Sequence, residues 1–305
     1  MPQNSATITQ AEYARLYAGY TALIEARLAA LCDEYLPLPA QISEAARYSL
    51  LGGGKRVRGV LVLASCTLAG GDTSAAADFA AALEMLHCYS LIHDDLPCMD
   101  NDDYRRGKPS CHKQFDEHTA LLAADALVTA AFEAVANAPL PAERCVAAAE
   151  ILAKGAGARG MLLGQELDKL YETRRATEAE LLTLHKNKTG ALILAGVQMG
   201  CAAANAGAAL QKPLEAYASE LGLVFQIVDD ILDVTSTLDA LGKPVGSDKE
   251  NDKTTFITLY GLDGARTLAA NHTTAALQAL NSLPCGVSDA TFFAEMAQEL
   301  LNRKK

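Results

Sequence analysis

Leu91-Ile92-His93-Asp94-Asp95-Leu96-Pro97-Cys98-Met99-Asp100 and, much later, Val224-Phe225-Gln226-Ile227-Val228-Asp229-Asp230-Ile231-Leu232-Asp233 follow one plan. In each, an apolar run with helical spacing delivers two adjacent carboxylates and then a third. Asp229 and Asp233 are four residues apart, which on a helix puts them on one face about 6 Å apart. Pro97 ends the first helix and lets the chain loop back, so that Asp100 returns a carboxylate to the same place. Neighbouring carboxylates repel unless a cation joins them. Oxygen ligands with few imidazoles favour magnesium over zinc or copper. One such cluster reads equally well as a solvated helix end; two, each closing an apolar helix, do not.

Working outward, nearly every segment keeps the three-to-four-residue period rather than the two-residue period of strands. Helices are predicted over 8–35, 43–51, 55–68, 74–96, 119–137, 142–153, 160–171, 178–201, 213–235, 263–282 and 289–303. Gly and Pro punctuate the breaks, and no linker or repeat divides the chain. The reading is all-α, with residues 1–305 forming a single domain around a large buried centre. Half of the 305 residues are apolar, only 6% are aromatic and there is no Trp. The net charge of −11 argues against a nucleic-acid partner, which needs a basic surface. Eight scattered cysteines without a Cys-x-x-Cys pair read as reduced, buried side chains. The first ten residues lack a basic flank and an apolar stretch, and the Ala-rich segment 191–209 reads as a packed core helix rather than a span. A cytoplasmic protein without stable membrane association is expected.

Carboxylates that hold magnesium usually share it with a phosphate, so cationic groups should accompany them. Gly52-Gly53-Gly54-Lys55-Arg56-Val57-Arg58 puts three cations behind a glycine loop. Arg105-Arg106-Gly107-Lys108 follows the first acidic cluster, and Lys186, Lys188, Thr189, Lys243, Lys249 and Lys253 flank the second. Arginine suits bidentate phosphate recognition and lysine acts as a point charge.

GGGKRVR, DDLPCMDNDDYRRGKPSCH, HKNKTGAL, FQIVDDILD and GKPVGSDKENDKTTF, in this order, resemble the trans-prenyltransferase family, most of all its short-chain bacterial members. The match runs from about residue 40 to 260. The resemblance implies ten or more mostly antiparallel helices around a deep central cavity. Asp94, Asp95 and Asp100 would face Asp229, Asp230 and Asp233 across its mouth and gather three magnesium ions on an allylic diphosphate. Arg105, Lys188, Lys243 and Lys253 would hold that diphosphate, and Lys55, Arg58, His87 and Arg106 would hold isopentenyl diphosphate. Thr189 and Gln226 would lie beside the reacting carbons, so that Asp94, Asp229, Lys188, Thr189 and Gln226 carry catalysis. A homodimer is implied as well. Two departures stand out: Gly59 where the family usually has Pro, and Tyr104 for a commoner Leu.

Tyr89 lies five residues before Asp94, about 7 Å along the helix. With Ser90 it is the candidate floor for the growing tail, and in the resembling family an aromatic there goes with a fifteen-carbon product, farnesyl diphosphate. Lateral packing between helices is the competing reading of Tyr89. Geranyl or geranylgeranyl diphosphate are the alternative products. A terpene cyclase of the same fold would replace the second aspartate cluster, and a non-catalytic subunit would lose metal ligands; neither change is present. Glu84-x-x-His87 lacks the second copy that a di-iron bundle needs. A His93-Asp94 phosphohydrolase leaves Asp229–Asp233 unexplained. The basic end, Arg303-Lys304-Lys305, and the loop 236–252 are expected to close over bound diphosphates.

Overall fold

The computed structural model describes residues 8–235, 253–284 and 290–303. Lys243, Lys249, Lys304, Lys305 and the loop 236–252 lie outside them, so the expectations placed there have no structural counterpart. The chain runs through α1 (Gln10–Tyr35), α2 (Gln41–Leu50), α3 (Val57–Leu68) and α4 (Thr73–Asp94). A two-stranded hairpin follows, β1 (Tyr104–Arg105) and β2 (Lys108–Pro109), then α5 (Cys111–Gln114), α6 (Glu117–Ala136), α7 (Ala142–Ala156) and α8 (Met161–Tyr171). After α9 (Glu178–His185), a π-turn (Lys186–Gly190) leads into α10 (Ala191–Ala204) and α11 (Ala208–Thr235). The last helices are α12 (Phe256–Leu280) and α13 (Thr291–Asn302).

Side-chain caps start several helices where the sequence offers them. Asp72 accepts from the Ser74 N–H at 2.9 Å and Asp116 from the Thr119 N–H at 2.8 Å, while Thr177 and Glu180 form a reciprocal capping box. The all-α expectation holds, and α4 packs against α6, α3, α10 and α1. The main core draws on α1 to α4, α6, α7, α10, the first half of α11 and α13. A second, smaller core gathers Val224, Ile227, Val228 and Leu232 of α11 around Phe256, Ala265 and Ala269 of α12 and Leu181 of α9. Helix α11 therefore spans both.

The Ala-rich segment is a core helix, as its small residues indicated. A Cβ on Gly200 of α10 would lie 2.2 Å from the Val62 carbonyl oxygen of α3, so close approach of the two backbones requires glycine there. Among the described residues, α4 and α6 are long and apolar enough to cross a bilayer by length and composition; the bundle buries 83% of that stretch of α4 and 50% of that of α6.

Several boundaries differ from the periodicity. The helix expected over 178–201 is interrupted by the π-turn, whose wider loop a periodic pattern does not register. The one expected from 263 starts at Phe256, because Thr255 caps it, and bends at Gly261 (φ 67°). Pro213 sits inside α11 rather than at its start. The first aspartate helix ends at Asp94, ahead of Pro97.

Candidate active site

The first acidic cluster is shaped by a turn of backbone hydrogen bonds. Asp100 N–H donates to the Asp94 carbonyl at 2.8 Å, and the Met99 and Asn101 N–H groups donate to the Leu96 carbonyl, so the chain doubles back as the proline implied. All three carboxylates have partners. Gln165 Nε2 donates to Asp94 Oδ1 at 2.8 Å, Arg105 Nε to Asp95 Oδ1 at 3.0 Å, and Lys169 Nζ lies 2.8 Å from Asp100 Oδ1. Burial pushes the Asp94 and Asp95 carboxyls above their ordinary pKa, against the pull of Lys188 on the first and Arg105 on the second.

The hairpin separates its two arginines. Arg106 (φ 55°) and Gly107 (φ 75°) are both left-handed, as a tight two-residue hairpin turn demands. Arg105 consequently turns to Asp95, whereas Arg106 donates to the Gly53 carbonyl and lies against Gly54, where there is no side chain to obstruct it.

That contact ties the hairpin to the glycine loop and brings Arg106 near Arg58 and His87, whereas Lys55 lines a pocket with Tyr17 and Arg303. Arg58 Nη1 meets His87 Nε2 at 3.2 Å, and Arg58 Nε is buried with no partner among the described residues. Burial holds the Arg58 pKa down to about 10. Burial, then repulsion from Arg58 and Arg106, keeps the His87 pKa well below the usual 6.5. An orphaned guanidinium donor among like charges is the electrostatic setting of an anion site. Arg56, the third cation of the loop, is instead structural: it is buried, pairs with Glu25 at 2.7 Å and Glu84 at 3.6 Å, and donates to the Leu50 carbonyl. Glu84 also accepts the Gly59 N–H at 2.8 Å. This explains the departure at Gly59, since proline has no N–H to give, and it removes Glu84 from any di-iron reading.

The second cluster divides its labour. Asp230 turns inward: Oδ1 accepts from Gln226 Nε2 at 3.1 Å and Oδ2 from the Phe256 N–H at 2.8 Å, which anchors the start of α12. Asp230 thus departs from the expectation that all three carboxylates face the mouth. Asp229 is half exposed and ion-paired with Arg303, whose guanidinium also lies 4.5 Å from the Phe225 ring centroid. Asp233 is buried, and neither of its carboxylate oxygens has a donor among the described residues.

The π-turn joins the two clusters. On one side Lys188 Nζ donates to Asp168 Oδ2 of α8 at 2.5 Å; on the other Thr189 Oγ1 donates to Gln226 Oε1 of α11 at 3.2 Å. The turn lies so tightly on α8 that a Cβ on Gly164 would come within 2.1 Å of the Lys188 backbone nitrogen. Burial works against the Lys188 charge, but Asp168, Asp94 and Asp100 outweigh it and hold its pKa above the ordinary lysine value. Lys253 approaches the same Asp168 at 3.7 Å.

The helix expected over 160–171 is present as α8, but the part its polar residues play in the site is what sequence reasoning missed. Gln165, Asp168, Lys169 and Glu172 each touch a part of the site supplied by another segment. The available signal was their three- and four-residue spacing, a polar stripe at or just beyond a helix that also carries Leu163, Leu167 and Leu170. Tyr89 is buried with its ring edge-on to His93, 5.5 Å between centroids, and Ser90 Oγ donates to the His87 carbonyl of its own helix. A cavity of about 450 Å³ opens between α1, α11 and α13, lined by Tyr17, Lys55, Phe225, Met296 and Arg303 among others.

A helical bundle with two aspartate clusters meeting at one polar turn, beside a pocket of arginines, is the architecture of an isoprenoid-type synthase. The chain belongs to the polyprenyl synthetase family, whose model matches residues 39–282. It is 45% identical to a farnesyl diphosphate synthase of Micrococcus luteus over 83% of this chain and 87% of that protein. To a chloroplastic geranylgeranyl pyrophosphate synthase of Capsicum annuum it is 46% identical over 76% of this chain and 64% of that one. The crystal structure of a geranyltransferase from Legionella pneumophila superposes with a TM-score of 0.84 at 38% identity, covering 96% of this chain and 98% of that one.

Proposed function

We propose that this chain is a farnesyl diphosphate synthase, a short-chain prenyltransferase that couples isopentenyl diphosphate to dimethylallyl and then geranyl diphosphate. The observation that carries the product assignment is the near full-length similarity to farnesyl diphosphate synthases, 41–45% identical over 87–90% of their length. Tyr89 supports it, as a bulky buried ring one and a half turns below the first aspartates. A second reading, geranylgeranyl diphosphate synthase, is favoured by the equal identity to the plastid enzymes, of which the chain covers less.

Asp94, Asp95, Asp100, Asp229 and Asp233 are the candidate ligands of magnesium, three ions in all. The donor set is carboxylate only, and the two oxygens of Asp233, unpartnered among the described residues, fit a hard divalent cation. When bound, such ions neutralise the charge that gathers on the leaving diphosphate. Lys188 and Lys253 hold that diphosphate, joined by Lys243 and by the N–H groups of Arg105 not facing Asp95. Lys55, Arg58, His87 and Arg106 hold the second diphosphate: buried Arg58 offers its orphaned Nε, and neutral His87 keeps the Arg58 fork aligned. Thr189 and Gln226, hydrogen-bonded to each other, flank the carbons between the two diphosphates and present oxygen dipoles to the allylic cation. Apolar walls keep water from capturing it. The double bond of isopentenyl diphosphate attacks, and the proton then lost passes to the departed diphosphate, so no side-chain base is required.

We assign residues 1–305 to one domain and place the enzyme in the cytoplasm, supported by seven free cysteines among the described residues, six of them buried. A homodimer is supported by the apolar side chains that the bundle leaves exposed on α6, Leu121 (44%) and Leu122 (49%). The test supplies labelled isopentenyl diphosphate with dimethylallyl, geranyl or farnesyl diphosphate and magnesium, and measures the chain made. Fifteen carbons from the first two primers and none added to the third are expected. Efficient elongation of farnesyl diphosphate would establish the second reading instead. Tyr89→Ala is expected to lengthen the product; a variant that still stops at fifteen carbons would mark Tyr89 as lateral packing only.

A further inference from the structure

Six side chains between the first aspartate cluster and the π-turn alternate in charge. Asp100 lies 2.8 Å from Lys169, Lys169 2.9 Å from Glu172, and Glu172 3.1 Å from Lys253. Lys253 lies 3.7 Å from Asp168, and Asp168 2.5 Å from Lys188. Three carboxylates and three ammoniums make the ladder neutral. The three acids approach within 4.8 Å of one another, a spacing that a metal ion could also hold together, but lysine ammoniums already lie between them. The two ends have assigned work under the proposed function, Asp100 toward magnesium and Lys188 and Lys253 toward the allylic diphosphate. The middle rungs, Lys169 and Glu172, have none.

Each middle rung is shared. Lys169 divides its charge between Asp100 and Glu172 at nearly equal distances, and Glu172 divides its own between Lys169 and Lys253. A shared partner held by two equal contacts is released from one when the other strengthens. All four of these side chains are 20–31% exposed, so solvent lets them change partner without leaving a buried charge bare.

We propose that Lys169 and Glu172 are positioning residues that couple occupancy of Asp100 to release of Lys253. While Asp100 has no divalent ion, Lys169 is its counter-ion. Once a cation takes over Asp100, Lys169 turns wholly to Glu172, Glu172 loosens Lys253, and the freed ammonium meets the diphosphate that arrives with the metal. The inference rests on the proposed roles of Asp100 and Lys253.

The coupling predicts opposite signs for two substitutions. Lys169→Met removes the competitor at Asp100 and leaves Glu172 to Lys253 alone. Magnesium should then bind the ligand-free enzyme about two- to five-fold more tightly, and inorganic pyrophosphate at saturating magnesium by a similar factor more weakly. Glu172→Gln leaves Lys169 wholly on Asp100 and frees Lys253, so magnesium should bind more weakly and pyrophosphate more tightly. In turnover, Lys169→Met should raise KM for the allylic substrate with kcat nearly unchanged, and Lys169→Arg should restore it. Calorimetric titration reads both affinities, and circular dichroism checks the fold. If both variants weaken both ligands, the rungs are structural struts and the coupling is overturned. If the unaltered enzyme binds neither magnesium nor pyrophosphate, the reading of the site itself fails and the coupling with it.

Discussion

The two aspartate clusters share a sequence plan but not a structural one. The first stands on the main core, closes through a hydrogen-bonded turn, and has every carboxylate matched to a donor: Gln165, Arg105 and Lys169. The second stands on the smaller core and is uneven. Asp230 anchors α12, Asp229 is paired with the chain's own Arg303, and Asp233 has no donor among the described residues. A cation entering the first cluster must displace resident partners, whereas at Asp233 it meets a carboxylate without a donor among the described residues. Similar motifs thus differ in what binding costs, because their neighbours differ.

The largest test removes one carboxylate from each cluster, buried Asp94 from the first and half-exposed Asp229 from the second. Asp94→Ala and Asp229→Ala should each cut turnover by about 10²–10³-fold in a steady-state assay, and for half-exposed Asp229 the melting temperature should stay nearly intact. Undiminished turnover in either would separate the clusters functionally. Asp230→Ala should behave differently from both. It deprives the Phe256 N–H and Gln226 of their acceptor, so stability should fall by about 1–3 kcal/mol, read as a drop of several degrees in the metal-free melting temperature.

Asp233→Asn sharpens the contrast in the other direction. Removing a buried charge that has no donor among the described residues should raise metal-free stability by about 1 kcal/mol, and added magnesium should then raise the melting temperature less than it does in the unaltered chain. A fall in metal-free stability would mean that Asp233 has a partner after all. The smallest effect belongs to His87, beside the first cluster. Its folded pKa lies below the ordinary 6.5, so the unfolded chain takes up a proton there that the folded chain refuses. The stability contributed by neutral His87 is full above 6.5 and declines as the pH falls below it. In His87→Gln, thermal melts between pH 8 and 5.5 should show a shallower decline.

Much of this was legible in order and spacing. The aspartates, the glycine loop with its cations, and Gln226 lie on segments that helical periodicity and punctuation locate well. The basic end, Arg303-Lys304-Lys305, was expected to close over the diphosphates; the structure shows an Arg303–Asp229 ion pair, which sequence separation alone does not reveal. Less legible was the work of α8, because Gln165 and Asp168 look like any polar stripe until the elements they face are known. Asp230 was similarly opaque: adjacent to Asp229 in sequence, it points elsewhere because consecutive helical residues diverge by about 100°.

By itself the chain determined the class of helices, the acidic and basic groups available, and the proline and glycines that re-aim them, since these follow from local sterics and hydrophobic period. Only the tertiary structure decided which charge meets which. Partners such as Asp100 and Lys169, Asp168 and Lys253, or Asp229 and Arg303 lie far apart along the chain. Their pairing is set by how two cores pack around α11 and by a π-turn that no periodic pattern encodes.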